Sequence, residues 1–373
     1  MSGPARHSVR RPLEGFGLWD KMTARRAVFS FDLELTARCN LNCRHCYINL
    51  PAGDRAAKRS EWTAAEIDRL AGEAASLGAV WCLVTGGEPL LRRDFEEVYT
   101  ALKRRGLKVS VYTNATLVGP RHVRMFRALP PDDVEVTVYG VTRRTYERVT
   151  RTPGSFAAFE RGLERLLDGG VPVRLKAMAL RSNSRELPAI TEFCRARTKG
   201  AYRFDPLIHL RYDRDPKRNR EIAAERLPPE EIAALERADP ERFAALTSRC
   251  SDLIMPETEA KTCRHLFRCG AGVAGFTVGA DGRLRLCPPL VHPDCVYDLR
   301  SGGLRDAWER FIPAVRARTS DRSEYLSGCG PCPVVNLCLW CPAHAYLETG
   351  ELDLPVEAFC RIAWARAKGL QKG

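Results

Sequence analysis

The chain has 373 residues, enough to bury a substantial core and to form one large domain with a smaller one beside it, which excludes a lone zinc finger or small binding module. Hydrophobic residues make up 45% and charged residues 28%, an ordinary globular composition, and no apolar run is long enough to span a bilayer, so no membrane partner is expected. The formal charge of +13 is dispersed and not gathered into an aromatic-interleaved basic tract, and it reads as an arginine-rich solvated surface, with nucleic acid disfavoured as a partner.

In chain order, residues 1–26 are basic but lack the apolar segment and cleavage site of a secretory signal, which predicts a cytoplasmic protein. Residues 28–35 mix apolar and polar side chains with period two and read as a strand leading to Cys39. Thr63 and Glu66 form a capping box opening a helix to about Leu77. Further strands are expected at 80–84, 107–112, 134–139, 171–180 and 202–205, with helices at 92–105, 120–128, 155–168 and 184–197. This alternation predicts an α/β fold with a parallel sheet, open or curled into a partial barrel, whose ligand chemistry belongs at the C-terminal ends of the strands. Cys39 follows the first strand, Gly86-Gly87-Glu88-Pro89 the second and Thr113-Asn114 the third, while Thr137, Tyr139 and Gly140 close the fourth, all on one rim.

Residues 213–220 read as a polar break and 230–248 as helices. From Cys263 onward the chain is rich in Cys, Gly and Pro, and 276–278 with 283–286 read as a hairpin with Asp281-Gly282 at its turn. This segment has little apparent apolar material and is expected to fold largely around metal, with a short helical tail after Cys360. The expected organisation is an extension (1–27), a barrel (28–210), a helical linker (211–254), a cysteine-rich domain (255–362) and a tail (363–373).

Fifteen cysteines are many for a chain without export signals, and their clustering points to metal rather than disulfides. Cys39-x3-Cys43-x2-Cys46 sets three thiols on a tight loop, able to ligate three irons of a [4Fe–4S] cube and leave the fourth open to a small molecule. Zinc is the plainer alternative, although its usual sites pair two Cys-x2-Cys units. Cys82, Cys194 and Cys250 lie in apolar or helical settings and read as core residues.

With His45 before its last cysteine and Gly86-Gly87-Glu88-Pro89 some way beyond, the triplet resembles the radical S-adenosylmethionine (SAM) superfamily. The resemblance implies a partial (β/α)6 TIM-like barrel in which the open iron binds the SAM amino and carboxylate groups, and an electron cleaves SAM to a 5'-deoxyadenosyl radical. It assigns Gly86, Gly87 and Glu88 to the SAM amino group, Asn114 and Thr137 to its ribose and carboxylate, His45 to the adenine, and either Arg148 or Arg151 to the carboxylate. Each has a structural alternative: a common glycine turn, strand-end caps at Asn114 and Thr137, a surface loop at His45.

The C-terminal cysteines resemble the SPASM domain of radical SAM peptide maturases, which carries two auxiliary [4Fe–4S] clusters, making three with the first. By that pattern Cys263, Cys269, Cys287 and Cys341 hold one, and Cys329, Cys332, Cys338 and Cys360 the other. Full ligation implies electron transfer or structural support and not direct substrate binding. Cys338-x2-Cys341 has two intervening residues where the family has three, which leaves Cys341 open, and Cys295 either substitutes or is simply buried.

SPASM proteins act on peptides, on sulfatase side chains and on small cofactors or porphyrins. Pro288-Pro289 after Cys287, where a sulfatase maturase has an acidic base, disfavours that subclass. The residues ahead of the barrel are too few for a leader-binding winged helix, so either a separate leader-recognition protein or direct peptide binding is expected. The expected enzyme is a radical SAM oxidoreductase that oxidatively modifies or cross-links a ribosomally made peptide, served by a flavodoxin- or ferredoxin-like reductant. The alternative is oxidation or decarboxylation of a small metabolite or tetrapyrrole side chain, with His209 and the arginines of 211–220 binding propionates or phosphates. An iron–sulfur electron carrier without turnover would have no use for the Gly86-Gly87-Glu88 landmark. Tyr139, Asp205 and Tyr212 read as rim residues, and no catalytic acid or base is identified.

Overall fold

The computed structural model describes residues 24–198, 202–247, 254, 263–338 and 340–370. Six strands follow the expected order: β1 (Ser30–Glu34), β2 (Trp81–Thr85), β3 (Lys108–Thr113), β4 (Val134–Val138), β5 (Val173–Met178) and β6 (Arg203–Asp205). All pair in parallel with their sequence neighbours. Their period-two pattern works as anticipated. Phe31, Leu33, Cys82, Val84, Val109 and Val111 are buried in the main apolar core, while Ser30, Asp32, Glu34 and Thr85 occupy the alternate positions.

Helices cross between the strands: α1 (Arg55–Ser60), α2 (Ala64–Ser76), α3 (Phe95–Arg104), α4 (Pro120–Ala128), α5 (Arg143–Thr150), α6 (Ser155–Asp168) and α7 (Leu187–Arg197). The Thr63/Glu66 capping box forms at the start of α2. Neither α1 nor α5 was foreseen. Residues 213–220, read as a polar break, contain a helix start: α8 spans Pro216–Glu225, with Asp215 accepting the Arg218 N–H at 2.7 Å and Pro216 at the first position. The helices α9 (Pro229–Ala238) and α10 (Pro240–Thr247) follow as expected.

The hairpin is present as β7 (Gly275–Val278) and β8 (Arg283–Arg285). Its place was not foreseen. β7 pairs in parallel with β1, Ser30 opposite Gly275 and Leu33 opposite Val278, and β9 (Tyr297–Asp298) adds to β8. One nine-stranded sheet therefore runs β9-β8-β7-β1-β2-β3-β4-β5-β6. A side chain at Gly275 would put its Cβ 2.6 Å from the Ser30 carbonyl oxygen, so this close strand approach demands glycine.

The expectation that the C-terminal segment has little apolar material of its own is corrected. Phe276, Leu284, Leu304, Trp308, Ile312 and Phe359 join the same core as β1, and the Phe31 and Phe276 rings stack at 5.6 Å. Two further helices, α11 (Pro342–Thr349) and α12 (Glu357–Leu370), close the chain, and α12 runs through residue 362 without a break. Among the described residues no helix is long and apolar enough to cross a membrane.

Candidate active site

The loop after β1 is fastened before its first cysteine. The Arg38 guanidinium donates to both Glu61 oxygens at 2.7 and 2.9 Å and to the Ala52 carbonyl at 2.9 Å, while Thr36 Oγ1 also donates to Glu61. Arg38–Cys39 pairs with Leu50–Pro51, turning the loop back on itself. Against this segment lies the turn after β2: the Gly87 N–H donates to Thr36 O at 2.7 Å and the Glu88 N–H to Arg38 O at 2.9 Å. Gly86 has φ +131°, and a Cβ on Gly86 or Gly87 would stand 2.3 Å from the Thr36 or Arg38 carbonyl oxygen respectively. The two glycines are thus required by backbone packed against backbone.

Glu88 is fully buried behind the rim and not on the cavity wall. Its carboxylate accepts from the Leu90 N–H at 3.0 Å, Thr113 Oγ1 at 2.8 Å and the Asn114 N–H at 2.8 Å. Burial pushes its pKa up to about 7 against these three bonds. The carboxylate therefore sets Asn114, whose Nδ2 donates to Asn40 Oδ1 at 3.0 Å and lies 3.8 Å from Cys39 Sγ.

These parts enclose a cavity of about 920 Å³, including its open mouth, lined by Cys39, Cys43, Cys46, His45, Gly86, Gly87, Asn114 and Thr137. His45 is buried and, among the described residues, its Nδ1 has no hydrogen-bond partner. Burial, with Lys176 and Arg218 adding to it, holds its pKa down to about 4. Burial raises the Cys39 thiol to about 12, with Glu88 and Cys46 contributing. Cys43 is likewise raised well above the usual thiol range, by burial first and then by Cys46 and Cys39. Among the described residues no three His, Cys, Asp or Glu side chains gather around a single ion. The fit to a metal cluster rests instead on three adjacent thiols on one cavity wall, whose crowding helps raise Cys39 and Cys43 and which a cationic cluster core would relieve.

Seven of the C-terminal cysteines fall into two neighbourhoods. Burial pushes Cys287 up to about 12, with Cys341 and Cys269 adding to it. Cys329 is likewise raised to about 12 by burial, then by Cys360, Cys338 and Cys332. Cys341 sits with Cys287 despite its short spacing. Cys263 lies beside Tyr325 and Gly330. Cys295 is fully buried, and its sulfur faces Arg318 Nη1 at 3.9 Å. Cys82 and Cys194 are fully buried in the core, and Cys250 lies outside the described residues.

Arg148 and Arg151 are not brought to the cavity wall. Arg148 lies in α5 and Arg151 at its C-cap, turned toward the Ser182 turn and toward α8 respectively. Arg148 Nη2 donates to the Ser182 carbonyl, and Arg151, in the left-handed C-cap position with φ 52°, pairs with Glu221 at 2.8 Å. Residues missed in the sequence line the cavity instead: Tyr47, Tyr112, Lys176 and Met178. The Lys176 ammonium is 2.8 Å from Glu135 and 4.5 Å from the Tyr112 ring centre. The available signal was a lysine on the inward phase of an otherwise legible strand. His209 also lines the wall, 4.4 Å from the Tyr47 ring.

Three thiols beside a Gly-Gly-Glu turn, at the strand ends of a partial α/β barrel with a cysteine-rich extension, define a radical SAM enzyme. Residues 33–194 match the model of the Radical SAM superfamily. The chain is similar to an AdoMet-dependent heme synthase of Methanosarcina barkeri (strain Fusaro / DSM 804), 26% identical over 352 residues covering 88% of this chain and 94% of the relative. Its fold is similar to that of Streptococcus suis SuiB bound to precursor peptide SuiA, with TM-score 0.67 and 13% identity over 96% of this chain and 83% of that one. It is likewise similar to anSMEcpe with bound AdoMet, with TM-score 0.62 and 14% identity over 92% of this chain and 97% of that one.

Proposed function

We propose that the chain is a radical SAM oxidoreductase of the cytoplasm that oxidatively modifies a short peptide. In this reading Cys39, Cys43 and Cys46 hold the SAM-binding [4Fe–4S] cluster. Cys263, Cys269, Cys287 and Cys341 hold one auxiliary cluster, and Cys329, Cys332, Cys338 and Cys360 the other. Bound in the cavity, cluster and SAM together supply a 5'-deoxyadenosyl radical that removes a hydrogen atom from a substrate C–H bond. The chain's own part is to bind and orient. Gly86 and Gly87 offer close backbone, Asn114 and Thr137 offer polar side chains, and the buried His45 ring, its Nδ1 unpartnered among the described residues, offers a face and a polar atom. Either a separate leader-recognition protein or the chain itself selects the peptide, and a flavodoxin- or ferredoxin-like protein delivers the electron.

The observation that carries the peptide reading is the commitment of the nearby arginines. Arg211 is bound to Asp213 at 2.5 Å and to Asn49, and Arg218 to Glu221 and the Cys43 carbonyl. Lys176 is the only Lys or Arg among the described wall residues, and it is already paired with Glu135. A tetrapyrrole bearing several carboxylates calls for convergent free cations. A peptide is met by neutral polar and apolar groups such as Thr85, Tyr112, Met178, Leu207 and Ile208, which this wall presents.

A second reading, oxidation or decarboxylation of a tetrapyrrole side chain, is favoured by the similarity to the heme synthase over nearly its whole length. Anaerobic mass spectrometry of the reconstituted, reduced chain with SAM separates the two. Loss of two hydrogens per modified peptide, with matching 5'-deoxyadenosine, is the expected result. Turnover of an iron-coproporphyrin but of no peptide replaces the first reading with the second.

A further inference from the structure

A file of aromatic side chains leads from the SAM-side thiols to a thiol of the C-terminal segment. Tyr47 directly follows Cys46, and its ring lies 4.4 Å from His209; both line the cavity. The His209 ring stacks on that of His344 at 5.5 Å and 25°. His344 is in the first turn of α11, and Cys341 caps that helix: its Sγ accepts the His344 backbone N–H at 3.4 Å. The His344 side chain lies beside the same thiol, within hydrogen-bonding reach.

The file is braced on both sides. Tyr212 stacks parallel to His209 at 5.7 Å, Phe359 lies 5.7 Å from His344, and His209 Nδ1 is 3.1 Å from the Leu210 carbonyl. A carbonyl only accepts, so that nitrogen carries the proton.

We propose that His344 is a positioning residue for the cluster held at Cys341, and that its stacking on His209 makes the reduction potential of that cluster depend on what fills the SAM cavity. The proposal rests on the ligation reading above. Hydrogen bonds to ligand sulfurs help set iron–sulfur potentials, and outer partners orient the ligands themselves. A donor to a thiolate stabilises the more negatively charged reduced state, so His344 raises the potential. His209 belongs both to the cavity wall and to the stack. A molecule bound against it displaces the His344 ring and alters the bond to Cys341.

The test is an anaerobic potentiometric titration, followed by electron paramagnetic resonance, of the reconstituted full chain with and without SAM. In the unaltered chain, SAM shifts the midpoint of one auxiliary cluster. H344F lowers that midpoint and removes its SAM dependence, while the other auxiliary cluster and the SAM-induced signal of the first cluster stay in place. H344Q, which keeps an N–H donor, restores part of the potential. H209F keeps the Cys341 bonds but abolishes the SAM dependence, and it carries the test if H344F fails to load iron. An unchanged midpoint in loaded H344F, or an auxiliary midpoint indifferent to SAM in the unaltered chain, overturns the proposal. Iron analysis separates this from failure of the ligation reading: an unaltered chain loading only one cluster refutes the ligation, and the tuning with it.

Discussion

Gly87→Ala puts the backbone seam between the Gly-Gly-Glu turn and the cysteine loop under direct strain. The added Cβ would stand 2.3 Å from the Arg38 carbonyl oxygen, 2.7 Å from its carbon and 2.8 Å from Ala37 O. That is about 1 Å inside ordinary van der Waals contact. All three obstructing atoms are main chain, so no side-chain rotation relieves them, and the seam must open. Opening costs about 1–3 kcal/mol as overpacking. It also loosens the Gly87-to-Thr36 and Glu88-to-Arg38 bonds, at about 1 kcal/mol each. The expected loss is about 3–5 kcal/mol in denaturant unfolding of the full chain, with SAM affinity by calorimetry falling because Cys39 is the next residue along the displaced strand. Gly53→Ala, with nothing within 4 Å of its added Cβ, is the control. A Gly87→Ala chain within about 0.5 kcal/mol of the unaltered one, binding SAM equally well, would refute the packing argument.

Asp32 has its pKa raised from 3.8 to about 6 by burial, against the Thr277 bond and Arg285. The folded state therefore binds its proton more tightly than the unfolded state. That contribution, about 3 kcal/mol, is complete below the lower value and lost as pH rises through the upper one. Unfolding measured across that window should show the unaltered chain losing ground to Asp32→Asn as pH rises; parallel curves would contradict it. Arg285→Ala strands the buried Glu34 carboxylate with which Arg285 pairs and should cost about 3–5 kcal/mol, while Glu34→Gln in the same chain recovers part of it. Cys295→Ala should leave iron content unchanged at a cost of about 1 kcal/mol, whereas Cys287→Ala should lose about four irons per chain. Equal iron loss in both would place Cys295 among the ligands.

Most strand and helix units from Ser30 to Asp205 were legible because they carry their own period, and the helix at Ala64–Ser76 also its own cap in Thr63 and Glu66. The helix at Arg143–Thr150 escaped because only Tyr146 and Val149 of its sequence are apolar; the rest of its buried face, Thr145 and Thr150, is polar and does not announce itself in the sequence. Arg148 and Arg151 were misplaced for the same reason: a residue's chemistry is read locally, but its direction depends on the unseen helix beneath it. The thiols and glycines were legible because spacing alone determines what they can do. Lys176 and Tyr47 were not, since only the closed sheet turns the inner face of a strand and the residue after a cysteine into one wall. The partition of the C-terminal thiols was expected from resemblance alone, whereas the attachment of that segment to the barrel through Trp308 and Phe276 depends on pairing with a strand more than two hundred residues away.

That pairing has a consequence for how the molecule is made. β1 has β2 on one side as soon as Trp81–Thr85 is synthesised, but its other side waits for Gly275–Val278. At about 5–20 residues per second, that interval leaves a bare edge for about ten to forty seconds on the ribosome. The exposed segment carries Phe31 and Leu33 and is free to pair with other chains. Heterologous production should therefore favour rapid elongation between these strands, and a barrel cut off before residue 275 should aggregate even though every one of its own six strands is present.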